Sequence, residues 1–196
     1  DMLWSEYAYS SDNCGSGYIY VNDLDVSEDG SAVVTGYFRY TAYFGGQISI
    51  QNDYSSYWDG FVAKIDKNGV WQWAHSFGYS SCCEHTYAQG VAIDSNNGDV
   101  YTTGRWYHTT HSFHIDRNNY FSSYCGSWIW SSFVLKFDKN GATQWAEEIK
   151  GFTGSSGSSC NTNSNNEVQD IEIDNASNIY VTGHYRYCVE FSSTRH

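Results

Sequence analysis

Apolar and polar residues alternate through the middle of the chain. Phe61, Ala63 and Ile65 fall on one parity, and Val62, Lys64 and Asp66 on the other. Side chains in a strand point to opposite faces with period two, so this reads as a β-strand. The run then meets Asp66-Lys67-Asn68-Gly69, and alternation resumes through Trp73. Asn-Gly is predicted to supply the positive φ angles of a tight hairpin. The whole block returns as Phe133, Leu135 and Phe137, Asp138-Lys139-Asn140-Gly141 and Trp145, at an offset of 72 (133 − 61 and 145 − 73).

Other blocks repeat with it. Trp4 stands where Trp73 and Trp145 stand, so the first copy lacks its opening strand. Asp23-Leu24-Asp25-Val26, Gly90-Val91-Ala92-Ile93-Asp94 and Asp170-Ile171-Glu172-Ile173-Asp174 predict a second strand type. Val34-Thr35-Gly36, Thr102-Thr103-Gly104 and Val181-Thr182-Gly183 mark a third. The predicted organisation is one continuous repeat domain: 1–59 (first copy and spacer), 60–132 (second copy and spacer) and 133–196 (third copy and tail). A single unit of this size cannot bury its own face, so neighbours must stack. The spacers, with Tyr43-Phe44-Gly45-Gly46 in the first, are expected to add a short strand or flap. The segment 153–166 is low in complexity and reads as a long loop.

Composition supports an all-β reading. The 196 residues include 18 Tyr, 8 Trp, 10 Phe, 18 Gly and no Pro, and aromatic and β-branched residues favour pleated surfaces. The net charge of −12 argues against nucleic acid, whose binding needs Lys and Arg against phosphates, and against anionic membranes. Cations or neutral sugars are easier partners. No apolar run approaches the roughly 20 residues of a membrane helix. A start at Asp1 rather than Met predicts processing or a longer parent chain.

Six cysteines remain. Cys14, Cys82, Cys83 and Cys160 follow Trp strands, Cys125 lies in a spacer, and Cys188 follows the last Thr-Gly. In a four-strand unit those connections emerge at one end, which predicts disulfides and an oxidising, extracellular or cell-surface setting. A metal site is not expected: no Cys-x-x-Cys pair exists, and His108, His111 and His114 do not share one face of a strand. The Asp-Lys-Asn-Gly segments lack the distal Glu of a calcium loop and read as turns. Asp170 and Glu172 share a face, but Asp23 and Asp25 occupy the matching place, so a repeated structural role is predicted rather than acid–base chemistry. No catalytic constellation and no cofactor are predicted. Asn175-Ala176-Ser177 is a glycosylation sequon.

At these blocks the chain resembles the bacterial β-propeller repeat abbreviated SBBP. Phe-Val-Ala-Lys-Ile-Asp-Lys-Asn-Gly, Trp73, Gly90 to Asp94 and Val181-Thr182-Gly183 carry the likeness, which covers nearly the whole chain. It implies four-stranded antiparallel blades, usually in secreted or surface proteins, and no single activity. Three Trp-marked blades are fewer than the about 4–8 of a closed propeller, so the expected form is open or part of a larger array.

The expected blade core is Trp4, Trp73, Trp145, Phe61 and Phe133. With 36 aromatics (18 + 8 + 10), some must lie outside it. Tyr18, Tyr20, Tyr37, Tyr40, Tyr54, Tyr57, Tyr107 and Tyr120 fall in loops and spacers, where Tyr offers contact area at low entropy cost. The leading expectation is a structural, self-associating repeat protein of an extracellular filament or array. The alternative is an adhesin or carbohydrate-binding module using the Tyr-rich loops. With two Phe-Val-x-Lys strands for three Trp strands, one blade lacks a strand, and the tail through Tyr187, Val189 and Phe191 is the expected filler and assembly strand.

Overall fold

The computed structural model describes residues 5–11, 17–52, 57–78, 85–108, 112–115, 120–122, 129–152, 166–186 and 188–190. In chain order the strands are β1 (Ala8–Ser11), β2 (Tyr18–Val26), β3 (Ala32–Arg39), β4 (Thr41–Phe44), β5 (Ile48–Gln51), β6 (Asp59–Ile65), β7 (Trp71–Phe77) and β8 (His85–Ile93). There follow β9 (Val100–His108), β10 (Ser112–His114), β11 (Tyr120–Ser122), β12 (Ile129–Phe137), β13 (Thr143–Phe152), β14 (Asn166–Ile173), β15 (Ile179–Tyr185) and β16 (Cys188–Glu190). The fold is all-β and antiparallel, with no helix among the described residues.

Three principal sheets carry the repeats. Sheet 1 has the order β2-β3-β6-β7, sheet 2 the order β8-β9-β12-β13 with β16 beyond β13, and sheet 3 is β14-β15. Each begins with the Asp-type strand and the Thr-Gly strand, and sheets 1 and 2 then take the Phe-Val and Trp strands. The hydrogen-bonded unit is therefore out of phase with a repeat counted from Phe61 or Phe133, and those strands pair back onto the preceding Thr-Gly strand. Sheet 1 is complete, and sheet 3 is the short one.

The turns account for the Asp-x-Asn-Gly segments. Asp66 Oδ1 accepts the N–H of Asn68 and of Val70, both at 2.9 Å. Asp138 does the same for Asn140 and Ala142, and Asp174 for Ala176 and Asn178. Only the fourth residue takes a positive φ: Gly69 (82°) and Gly141 (90°) in the two Asp-Lys-Asn-Gly turns, and Ser177 (61°) in the β14–β15 turn. The expected positive φ at Asn is thus absent. Asp66 N–H donates to Val70 O and Gly69 N–H to Asp66 O, with the same pair at Asp138, Ala142 and Gly141, the pattern of a type I turn with a bulge. A separate register shift beyond each turn skips Gln72 and Gln144.

The recurrent Thr-Gly has its own cause. Opposite it, the Asp-type strand bulges at Val21/Asp23, Ala88/Gly90 and Val168/Asp170. The bulge drives the carbonyls of Tyr20, Tyr87 and Glu167 onto the Cα of Gly36, Gly104 and Gly183, where a Cβ would overlap them. Only Gly allows that approach.

The sheets stack face to face. Val33 and Val62 of sheet 1 pack with Val91, Ile93, Phe133 and Leu135 of sheet 2. On the far side of sheet 2, Ala92, Tyr101 and Val134 pack with Val168 and Ile171 of sheet 3. Phe61 and Phe133 are fully buried. Trp73 and Trp145 lie half-buried at the cluster margins, with Trp73 Nε1 donating to Lys139 O at 3.2 Å; Trp4 lies outside the described residues. Among the described residues the fully buried tryptophan is Trp106, which the repeat pattern does not single out.

The spacers do form short strands. β4 pairs with β1 and with β5, and their hairpin packs Phe44 and Ala42 over Phe38 and Phe61 of sheet 1. β16 pairs with β13 at the equivalent register. Ser10 faces Ala42, each six residues past its Trp or Thr-Gly marker (10 − 4; 42 − 36). Gly151 faces Val189, again six past each marker (151 − 145; 189 − 183). The tail strand with Val189 is thus a strap on sheet 2, not the filler of the short sheet. Tyr187 and Phe191 lie outside the described residues.

Candidate functional site

Two surfaces stand out, and both are built from repeat-equivalent positions. The first is the stacking face. Leu24, Val91 and Ile171 are equivalent, each opposite the second residue before the Thr-Gly glycine, at Val34, Thr102 and Val181. Val91 and Ile171 are 3% and 1% exposed, yet Leu24 is 57% exposed. Val21 and Val26 are likewise exposed where Ala88 and Ile93 are buried. At the other end of the stack, Val33 and Tyr101 are buried while their equivalent Tyr180 is 55% exposed.

Polar groups follow the same logic. The extra residue of each bulge is a carboxamide: Asn22, Gln89 and Gln169. Asn22 Nδ2 donates to Ala88 O at 2.7 Å across the first interface. Gln89 Nε2 donates to Glu167 Oε1 at 2.7 Å across the second. Asp23 and Asp25 each accept one N–H from sheet 2, of Val91 and Ile93, both at 2.8 Å. These carboxylates cap the open inner edge of β8, a structural role; the position recurs at Asp170 and Glu172, but the capping contact is made by Asp23 and Asp25. Burial raises the pKa of Asp23, helped by Asp170 and Asp25 and opposed by the Val91 and Leu24 N–H groups. Gln169, Asp170 and Glu172 hold the equivalent positions on sheet 3 and are exposed.

The second surface is an aromatic band at one end of the strands. Trp58 and Trp130 are equivalent (130 − 58 = 72), a recurrence that offset counting could have found. The Arg39 guanidinium lies 4.2 Å from the Trp58 ring and that of Arg105 lies 4.5 Å from Trp130. Tyr20 stacks on Tyr37 at 5.0 Å, Tyr37 meets Tyr87 edge-on at 4.8 Å, and Tyr87 and Tyr107 flank Trp130. Arg105 then pairs with Glu167 at 2.6 Å, and His184 Nε2 stands 3.5 Å from the same carboxylate. Burial lowers the pKa of His85, with Arg39 adding to it, and burial raises that of Tyr87. Of the tyrosines singled out from sequence, Tyr18, Tyr20, Tyr37, Tyr57 and Tyr107 meet in or beside this band. Tyr40 takes a positive φ of 66° after β3. Tyr54 lies outside the described residues, as does the Tyr120 side chain.

Cys14, Cys82, Cys83, Cys125 and Cys160 lie outside the described residues, as does the side chain of Cys188. The described strand ends that flank them, at Phe77, His85 and Asn166, lie at the aromatic end of the stack. Asn175 is exposed on the β14–β15 turn, where its carbonyl and Ser177 Oγ accept from Asn96 Nδ2, both at 3.1 Å. Among the described residues no group of three His, Cys, Asp or Glu side chains is arranged to hold a metal. No helix among them is long and apolar enough to cross a membrane. No family model and no curated protein matches the chain.

Proposed function

We propose that the chain is a secreted, non-catalytic structural module that stacks head to tail with copies of itself. One observation carries the reading: the two outer faces of the stack repeat, exposed, the residues that are buried at the two interfaces inside it. Val21, Leu24 and Val26 on sheet 1 match Ala88, Val91 and Ile93. Gln169, Asp170, Glu172 and Tyr180 on sheet 3 match the set with which sheet 1 receives sheet 2. An exposed apolar stripe rimmed by polar groups marks an interaction surface. Its complement here lies at the opposite end of the same molecule. Such a contact is heterologous, and it builds rings or filaments according to whether the rotation closes.

The β15 edge adds to this. The hydroxyls of Thr35 and Thr103 donate to the carbonyls of Phe61 and Phe133 in the neighbouring Phe-Val strand. Thr182 is their equivalent, and β15 is paired only with β14 among the described residues. Disulfides among the six cysteines and a glycan at Asn175 belong to the same secreted reading.

Sedimentation velocity over a concentration series tests the proposal. The chain should form species that grow in multiples of 22.2 kDa. A Leu24→Lys/Val26→Lys variant, changed only at exposed positions, should stay monomeric with an unchanged melting temperature. A wild-type chain that remains monomeric at high micromolar concentration would sink the idea.

A further inference from the structure

The aromatic band is a poor candidate for core packing. Tyr18 and Tyr20 are 48% and 46% exposed, and none of its rings belongs to the three apolar clusters. Its two tryptophans sit in the same place in successive sheets, and each carries a guanidinium rather than an aliphatic neighbour. The edge-on contact of Tyr37 with Tyr87 joins the two nests into one strip across the sheet 1–sheet 2 boundary.

An independent observation falls on the same strip. Arg39 Nε, Arg105 Nε, His85 Nδ1 and Gln89 Oε1 are all shielded from bulk water and have no hydrogen-bond partner among the described residues. Buried polar atoms are nearly always satisfied, so each orphan asks for an explanation. Here four of them gather around one set of rings. Both guanidinium Nε atoms are donors, the Gln89 oxygen is an acceptor, and a neutral imidazole nitrogen can serve either way. A ligand that meets them all must both donate and accept along its rim and offer an apolar face to tyrosine and tryptophan rings.

We propose that this strip binds a neutral saccharide chain, with pyranose rings lying on the exposed tyrosines and hydroxyls meeting the orphaned groups of Gln89, Arg39 and Arg105 as those side chains turn outward and uncover them. Hydroxyl groups donate and accept at once, and a sugar ring's C–H face is apolar. The competing chemistries fit less well. A nucleic acid would also stack on aromatics, but its phosphates need a positive groove. This chain carries −12 overall, and Arg105 is already paired with Glu167. An organic cation would seek open aromatic faces, and guanidinium groups already cover the tryptophans. The site lies at the ends of the strands, apart from Leu24 and Val26, so saccharide binding and self-stacking can fail separately.

The test is a glycan array of neutral, uronate-bearing and sulfated oligosaccharides. The best neutral hit is then titrated by tryptophan fluorescence, using the wild type and the monomeric Leu24→Lys/Val26→Lys variant. Saturable binding of a neutral oligosaccharide is expected for both proteins, with a change in the emission of Trp58 and Trp130. Tyr20→Ala should weaken it about tenfold or more while circular dichroism and melting temperature hold, and Gln89→Leu should weaken it as much, with its melting temperature read separately because Gln89 also donates to Glu167. Tyr9→Ala, on an exposed ring of the β1–β4–β5 sheet away from the strip, serves as the control and should change nothing. Three results would overturn the proposal: no neutral oligosaccharide bound, binding confined to anionic sugars, or neutral binding indifferent to Tyr20 and Gln89.

Discussion

The Asp23 carboxylate accepts the backbone N–H of Val91 at 2.8 Å, across the boundary between sheets 1 and 2. An edge strand's N–H groups invite a foreign strand, and here a side chain from the neighbouring sheet occupies one of them.

Asp23→Ala leaves that N–H without an acceptor and should lower stability by about 1 kcal/mol, the low end for a half-buried orphan. Asp23→Asn keeps one acceptor oxygen for the Val91 N–H, gives up the oxygen that accepts from Leu24 N–H within its own strand, and removes a charge whose pKa is raised by burial and by Asp170 and Asp25. A raised carboxylate pKa means stability that falls as pH climbs through the carboxylate range. Denaturant melts at neutral pH should therefore rank Asn at or above Asp, with Ala lowest. Ala equal to Asn would remove the capping role.

Asp174 titrates the other way. Its pKa is lowered to about 2, first by Asn178 and then by Tyr180 and the Ala176 N–H. A carboxylate held below its unfolded value contributes stability that is present above about pH 4 and lost as pH falls toward 2. Thermal melts from pH 5 to pH 2 should show a decline that is shallower in Asp174→Asn. An identical slope in the variant would show that this turn does not feel the proton.

Gly90 lets sheet 3 approach sheet 2. A Cβ there would stand 2.9 Å from Asp170 Cα and 3.0 Å from Ile171 N. These are backbone atoms that cannot swing aside. Gly90→Ala should cost about 1–3 kcal/mol, as overpacking does, and amide exchange should rise in β14 and β15 before β2 and β3. Uniform exchange across all three sheets would contradict a local wedge.

The tryptophans and phenylalanines of the repeat should separate. Phe133 is fully buried, and Phe133→Ala should cost about 3–5 kcal/mol. Trp73 is half-buried at the margin, so Trp73→Ala should cost about half as much. Equal losses would place Trp73 in the core after all.

The six cysteines are predicted to be oxidised. Intact-mass measurement without reductant should show about two hydrogens lost per bridge, and six freely alkylated thiols would exclude the disulfide reading.

Strand type, the place of the turns and the recurrence of units are written locally, and alternation with Asp-x-Asn-Gly was enough to read them, although those turns put positive φ on Gly alone. The buried Phe61 and Phe133 followed from parity alone. Phase was not local. Phe61 begins the repeat along the chain but fills the third place in its sheet, because β6 hydrogen-bonds back onto β3 and only the folded register decides that. The role of Gly36, Gly104 and Gly183 depends on a bulge in a different strand, which leaves no mark beside the glycine. The same holds for the tail: Val189 alternates as any strand would, and pairing with Gly151 made it a strap rather than a filler. Trp58 and Trp130 were visible as a second offset of 72, but their meaning was not. What surrounds them comes from β2, β3, β8, β9 and β14, and only the stacking of three sheets gathers those groups at one end.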